Sequence, residues 1–134
     1  MINQLSIYTK NEKGTMRRLL SLLAKEGINV LGIVNNDNAE FGIIRLLTDN
    51  CDKSYDVLLS NGYLCEKTYV IGVELNDEVG EMEKLLAAYD EMNVNIDYMY
   101  IGYLRENSMP VIMIHSVDMT TVLAALTSRG FTVH

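Results

Sequence analysis

The chain repeats itself, and that limits what it can fold into more than any other feature. Displaced by 66 positions, the first part of the 134-residue sequence falls on a later part of itself. Asn11-Glu12-Lys13-Gly14-Thr15-Met16 lands on Asp77-Glu78-Val79-Gly80-Glu81-Met82, Leu19-Leu20 on Leu85-Leu86, and Ile28-Asn29-Val30 on Val94-Asn95-Ile96. After residue 40 the displacement becomes 68, and Ser60-Asn61-Gly62-Tyr63 lands on Ser128-Arg129-Gly130-Phe131. Two extra residues within Gly102–Ser108, a polar, glycine-containing segment suited to a hairpin loop, account for the change. Identities are few, but they fall where backbone geometry is demanding.

Hydrophobic spacing gives each repeat the order strand, helix, strand, strand, helix, strand. In the first, Gln4–Thr9 alternates, and Thr15–Glu26 places Met16, Leu19, Leu20 and Leu23 at helical spacing before Gly27 stops the helix. Ile28–Val34 and Phe41–Thr48 are β-rich runs joined by a turn cluster, Asn35–Glu40. Asp52–Asn61 reads as a short helix stopped by Gly62. In the second, Tyr69–Leu75 alternates, Glu81–Met92 is helical with Asn93 where Gly27 stood, and Val94–Leu104 and Met109–Ser116 are strands. Asp118–Ser128 is the last helix, with Asp118 as its N-cap.

This is the split βαβ, or ferredoxin-like, pattern, twice. A unit of some 65 residues is marginal alone, because it buries a small share of its surface. The sequence therefore predicts an α+β protein. Two βαββαβ repeats, residues 1–66 and 67–134, join into one eight-stranded antiparallel sheet with four helices on one face. Tyr63–Leu75 reads as one extended passage between them. Several strands, among them Phe41–Thr48 and Pro110–Ile114, are apolar on both faces, and helices cover only one. The second face then needs a cover, which predicts a homodimer packed sheet face to sheet face.

Composition narrows the function. The net charge is −7, divided as −1 over residues 1–66 and −6 over residues 67–134. With no basic stripe along the sequence, neither nucleic acid nor an anionic membrane surface is an expected partner. No apolar run is long enough to span a bilayer, and the opening Met1-Ile2-Asn3-Gln4 carries no export signal. Cys51 and Cys65 form no CxxC pair and read as packing residues in a reducing cytoplasm. There is no P-loop, GxGxxG or GxSxG, and His115 and His134 lie far apart. An enzyme is not expected, and no catalytic residue, resident metal or cofactor is assigned.

Three elements recur in register in each repeat. Asn/Asp-x-x-Gly precedes the first helix (Asn11…Gly14, Asp77…Gly80), a hydrophobic residue follows two positions on (Met16, Met82), and the next strand opens with an apolar-Asn-apolar triplet (Ile28-Asn29-Val30, Val94-Asn95-Ile96). With these the unit resembles the ACT domain, a small ligand-binding regulatory module of amino-acid metabolism, over essentially the whole chain. Where that family often has proline before the glycine, this sequence has Lys13 and Val79. With no catalytic domain attached, the chain is similar to stand-alone bacterial tandem ACT proteins, described as amino-acid-binding.

The resemblance implies a small-molecule ligand, an amino acid, held at the loop before the first helix between ACT units and read out by population shift. Carried over residue by residue, the site comprises Asn11, Lys13, Gly14, Thr15, Met16 and Asn29, with Asp77, Gly80, Glu81, Met82 and Asn95 in the second repeat. Physically, a glycine turn followed by helix amides makes an anion site suited to a carboxylate. Lys10, Lys13, Arg17 and Arg18 surround the first loop against Glu12 alone, whereas Glu74, Asp77, Glu78, Glu81 and Glu83 surround the second against Lys84. Each such charge is worth about 1–4 kcal/mol at a few ångströms before screening, so an anionic group is favoured at the first loop and repelled at the second. The second suits an ammonium group or a cation, or needs no ligand, since acids at a helix N-terminus are favourable in themselves. The plainer alternative for both loops is structural, with the glycines as turn residues and Asn11 and Asp77 as caps. The competing function is a ligand-free interaction and dimerisation module that regulates a metabolic enzyme.

Overall fold

The computed structural model describes residues 1–35, 41–104 and 107–134. Its elements run β1 (Ile2–Lys10), α1 (Thr15–Lys25), β2 (Val30–Asn35), β3 (Phe41–Thr48), α2 (Cys51–Ser60), β4 (Leu64–Glu74), α3 (Glu81–Glu91), β5 (Ile96–Leu104), β6 (Asn107–Ser116), α4 (Met119–Ser128) and β7 (Thr132–Val133). The turn expected over Asn35–Glu40 and the insertion expected within Gly102–Ser108 fall largely or partly outside the described residues. Packing divides the chain into a first unit, Asn3–Thr68, and a second, Tyr69–His134 with Met1–Ile2.

In the first unit β1 and β3 pair antiparallel with Leu5 opposite Leu46 and Ile7 opposite Ile44, which puts four large apolar side chains on one face. Leu19 and Leu23, one helical turn apart on α1, pack onto that face with Leu58 of α2 and Cys65 of β4, all buried. Each such side chain contributes about 1.5–3 kcal/mol by leaving water. β2 pairs with β3 through a bulge between Val30 and Gly32, and β4 lies on the other side of β1. The opposite face carries hydrogen-bonded polar groups. The buried Gln4 donates through Nε2 to Thr68 Oγ1 at 3.0 Å, and Ser6 Oγ lies 3.2 Å from the same oxygen.

The second unit repeats the plan. β4 pairs with β6 and β7, and β5 pairs with β6, all antiparallel. Ile71 and Val73 of β4, Ile112 and Ile114 of β6, Leu85 and Tyr89 of α3, and Val122 and Leu126 of α4 form its core. Asn93 adopts a left-handed φ of 54° at the helix end that Gly27 (φ 70°) closes in the first unit. Asp118 stands at the N-cap of α4 with φ 50°, but its side chain makes no capping hydrogen bond.

One expectation is corrected. The open eight-stranded sheet is not formed. Among the described residues there are seven strands, because the closing strand of the first repeat and the opening strand of the second are one uninterrupted β4. Nothing in Leu64–Glu74 supplies a break: the run holds no proline, and its one glycine, Gly72, lies within the ladder opposite Met113. On the strand face turned from the helices, Leu47, Val111 and Met113 are buried, and on β5 Ile101 and Tyr103 are exposed.

Candidate functional site

The chain leaves β1 at Lys10 and makes the same tight turn at both loops. Glu12 N–H donates to the Lys10 carbonyl at 3.0 Å and Thr15 N–H to the Glu12 carbonyl at 3.2 Å. In the second unit Glu78 N–H donates to Asn76 and Glu81 N–H to Glu78. Gly14 and Gly80 occupy the N-cap positions of α1 and α3 with φ of 83° and 91°, a left-handed backbone that side chains resist. Neither helix has a side-chain cap, so Asn11 and Asp77 are not N-caps. The expected row of outward-facing amides is shortened by one, since the Thr15 amide is held by Glu12. The amides of Met16 and Arg17 still precede the first helical donor, because Arg18 N–H is the first to reach back, to Gly14 O at 3.0 Å.

A cavity of about 280 Å³ opens at this turn. Asn11, Gly14, Thr15 and Met16 line it, joined by Thr9, Lys10, Glu12 and Arg17, by Asn35 at the end of β2, and by Gly42 and Ile44 of β3. Thr15 is buried, and its Oγ1 donates to the Lys10 carbonyl at 3.3 Å, tying the helix start to the strand end. Lys10 and Arg17 against Glu12 leave the lining net positive. With the helix dipole, the cavity has the field an anion requires.

Two of the proposed residues of this unit do not line the cavity. Lys13 is exposed on the turn. Asn29 is placed at the start of β2, where its N–H donates to Asp49 Oδ1 at 3.1 Å and its carbonyl accepts from Asp49 N–H at 3.0 Å. Asn29 thus fixes the approach to α2. Sequence reasoning missed Asn35, Gly42 and Ile44. The parallel course of β1 and β2, both pairing with β3, carried the signal. The end of β2 and the start of β3, not the start of β2, return to the loop after β1.

The second loop differs in size and sign. Asp77, Glu81 and Met82 line a cavity of about 190 Å³ with Asn76, Glu78, Leu75, Ile101, Pro110 and Ile112. Gly80 forms the turn without lining it. Asn95, like Asn29, precedes its strand, and it is exposed. Lys84 Nζ lies 2.7 Å from Glu81 Oε1, and this hydrogen bond holds the ammonium above its ordinary range. Asp77 and Glu78 leave the lining acidic, which opposes an anionic ligand group. Among the described residues no three His, Cys, Asp or Glu side chains converge as metal ligands. Burial pushes both thiols, Cys51 and Cys65, above their ordinary pKa, which makes them poor nucleophiles. No helix among the described residues is long and apolar enough to cross a membrane.

The family model for an ACT domain pair matches residues 1–127. The chain belongs to the ACT domain pair family. Among solved structures, this ACT pair is similar to a protein from Bacteroides thetaiotaomicron, at 28% identity, a TM-score of 0.88, and coverage of 99% of this chain and 91% of that one. It also shares a fold with the regulatory subunit of aspartate kinase from Thermus thermophilus, crystallised ligand-free, at 16% identity and a TM-score of 0.65 over 94% and 90% of the two chains. The corresponding subunit from Thermus flavus gives 16% and 0.60 over 93% and 88%. At these identities the two kinase subunits show the fold alone. No protein of curated function matches the sequence.

Proposed function

We propose that this ACT pair is a small-molecule sensor whose ligand is an amino acid, held at the loop between β1 and α1. The observation that carries the reading is the cavity of about 280 Å³ at Gly14. It combines a helix N-terminus, the cations Lys10 and Arg17 for a carboxylate, the amides of Asn11 and Asn35 for an ammonium group, and the apolar Met16 and Ile44 for a side chain. The second loop, acid-lined and smaller, serves as a turn or takes a cationic group. The ligand acts by population shift, binding one arrangement of the protein more tightly and passing that bias to a partner enzyme of metabolism. The use of this fold in the regulatory subunit of an aspartate kinase supports such a partner.

The test is the melting temperature of the full chain with each amino acid at millimolar concentration. A ligand at one hundred times its Kd adds about 2.7 kcal/mol, a shift of several degrees. A selective shift that is lost in Arg17→Gln is expected. A flat panel would favour the ligand-free interaction module instead.

A further inference from the structure

A second cavity, of about 480 Å³, lies in the first unit along the outer side of α1, against the residues that follow α2. Arg17, Arg18 and Lys25 line it, together with Ser21 and Leu22 of the same helix. Asn61 and Tyr63 form the opposing wall, and no carboxylate among the described residues lines it. Positions 17, 18, 21, 22 and 25 recur at helical spacing, so they form one continuous face.

Two further observations show that this face is not ordinary charged surface. The first is the distribution of ion pairs. Lys53, Lys67, Lys84 and Arg129 each hold a carboxylate. Among the described residues, Lys10, Lys13, Arg17, Arg18 and Lys25 have no ion pair, and all five lie within sixteen consecutive positions of a chain whose acids outnumber its bases by 18 to 11. Arg18 is held only by long contacts to the Lys13 carbonyl (3.5 Å) and Thr15 Oγ1 (3.4 Å). The second observation is internal to the molecule. In the second repeat the same places hold Glu83, Lys84, Ala87, Ala88 and Glu91, with Arg129 and Phe131 opposite. There Arg129 Nε reaches Glu91 Oε2 at 3.6 Å, and Lys84 is paired with Glu81. The fold therefore tolerates an acidic, internally paired face at this position. Among the described residues, the positive face of α1 without ion pairs belongs to the first repeat alone.

We propose that this groove binds a small anion carrying two or more negative charges, of phosphate or carboxylate type. Guanidinium forks match either oxyanion, and Ser21, Asn61 and Tyr63 offer further polar contacts. Its volume lies in the range of small-ligand sites. A short ligand meets only the local positive charge, whereas an extended polyanion would also meet a chain of net charge −7.

The test titrates the full chain at low ionic strength with inorganic tripolyphosphate and, separately, with citrate, followed by calorimetry. Saturable binding of one probe to the wild type is expected, and the probe that saturates distinguishes phosphate from carboxylate. Ser21→Glu, an exposed helical substitution that places a carboxylate in the groove and removes no cation, is expected to weaken binding at least tenfold with an unchanged melting temperature. Lys25→Gln should weaken it in the same direction. Lys13→Gln, outside the groove, should leave it within twofold. Absence of saturation by both probes would overturn the proposal. So would equal weakening by Lys13→Gln and Ser21→Glu, which would mean a diffuse field, or saturation by a polyglutamate peptide alone. The amino-acid response at the Gly14 cavity should survive Ser21→Glu, so the two proposals fail separately.

Discussion

Asn29 immediately precedes β2 and Asn35 ends it, and only Asn35 reaches the cavity that Asn11 lines. Asn29 is engaged with Asp49 before α2. The two asparagines therefore have separable roles. Asn35→Ala is expected to reduce the ligand-induced rise in melting temperature by half or more while leaving the unliganded protein within about 0.5 kcal/mol of wild type, as for an exposed substitution. Asn29→Ala should leave the ligand response intact. A thermal-shift titration of both variants decides the matter, and the reverse pattern would move the site to the other end of the unit.

Gly14 carries a different constraint. Its φ of 83° disfavours any side chain, and a Cβ there would meet Arg18 Nη1 at 3.0 Å. Gly14→Val should cost about 2 kcal/mol or more, from a branched side chain in a left-handed backbone. Loss of ligand response in that variant is informative only at temperatures where circular dichroism shows it folded. Gly14→Asn, which tolerates the conformation better, should recover part of both stability and binding.

Within β4, Gly72 is required by space. A Cβ there would stand 2.5 Å from Ile2 Cδ1 and 3.1 Å from Val111 Cγ1. The isoleucine tip can swing away, but the branched, buried Val111 has less freedom. Gly72→Ala is expected to destabilise by about 1–3 kcal/mol in urea denaturation, as overpacking does. Adding Ile2→Ala should recover much of the loss.

Tyr89 and Ser116 are both buried, and neither hydroxyl has a hydrogen-bond partner of good geometry among the described residues. Burial pushes the Tyr89 phenol up to about 12, with the nearby Ser116 hydroxyl offsetting part of the effect. A pKa raised on folding means that the neutral phenol is favoured in the folded state. Its contribution is complete below the unfolded pKa near 10 and is lost as pH rises toward 12, a change of up to about 2–3 kcal/mol. Tyr89→Phe should thus lose less stability than wild type between pH 10 and 12. At pH 7 it should lie within about 1 kcal/mol of wild type, since no well-formed hydrogen bond is removed. A larger loss at pH 7 would reveal a bond made by the hydroxyl.

At the start of α2, the Asn50 side chain accepts from Lys53 N–H at 3.0 Å, a proper N-cap. Asn50→Ala should cost about 1 kcal/mol and Asn50→Asp little or nothing, measured by chemical denaturation.

The sequence by itself determined the plan of each repeat. Apolar residues at helical spacing, glycine or asparagine at helix ends and alternating runs are local signals, and they read the same wherever the repeat is placed. The ACT resemblance and the turn at Gly14 and Gly80 were legible for that reason. What only the tertiary structure decided is relational. That one strand serves both repeats follows from β4 passing without a break between two pairing environments, which residue patterns cannot distinguish from two strands in succession. That Asn35, not Asn29, joins Asn11 follows from β2 running parallel to β1, each antiparallel to the β3 between them. That the basic residues of α1 have no acidic partner among the described residues depends on which carboxylates the fold brings near. Charge along a sequence can be counted, but ion pairing is a matter of distance, and distance between remote residues exists only once the chain has folded.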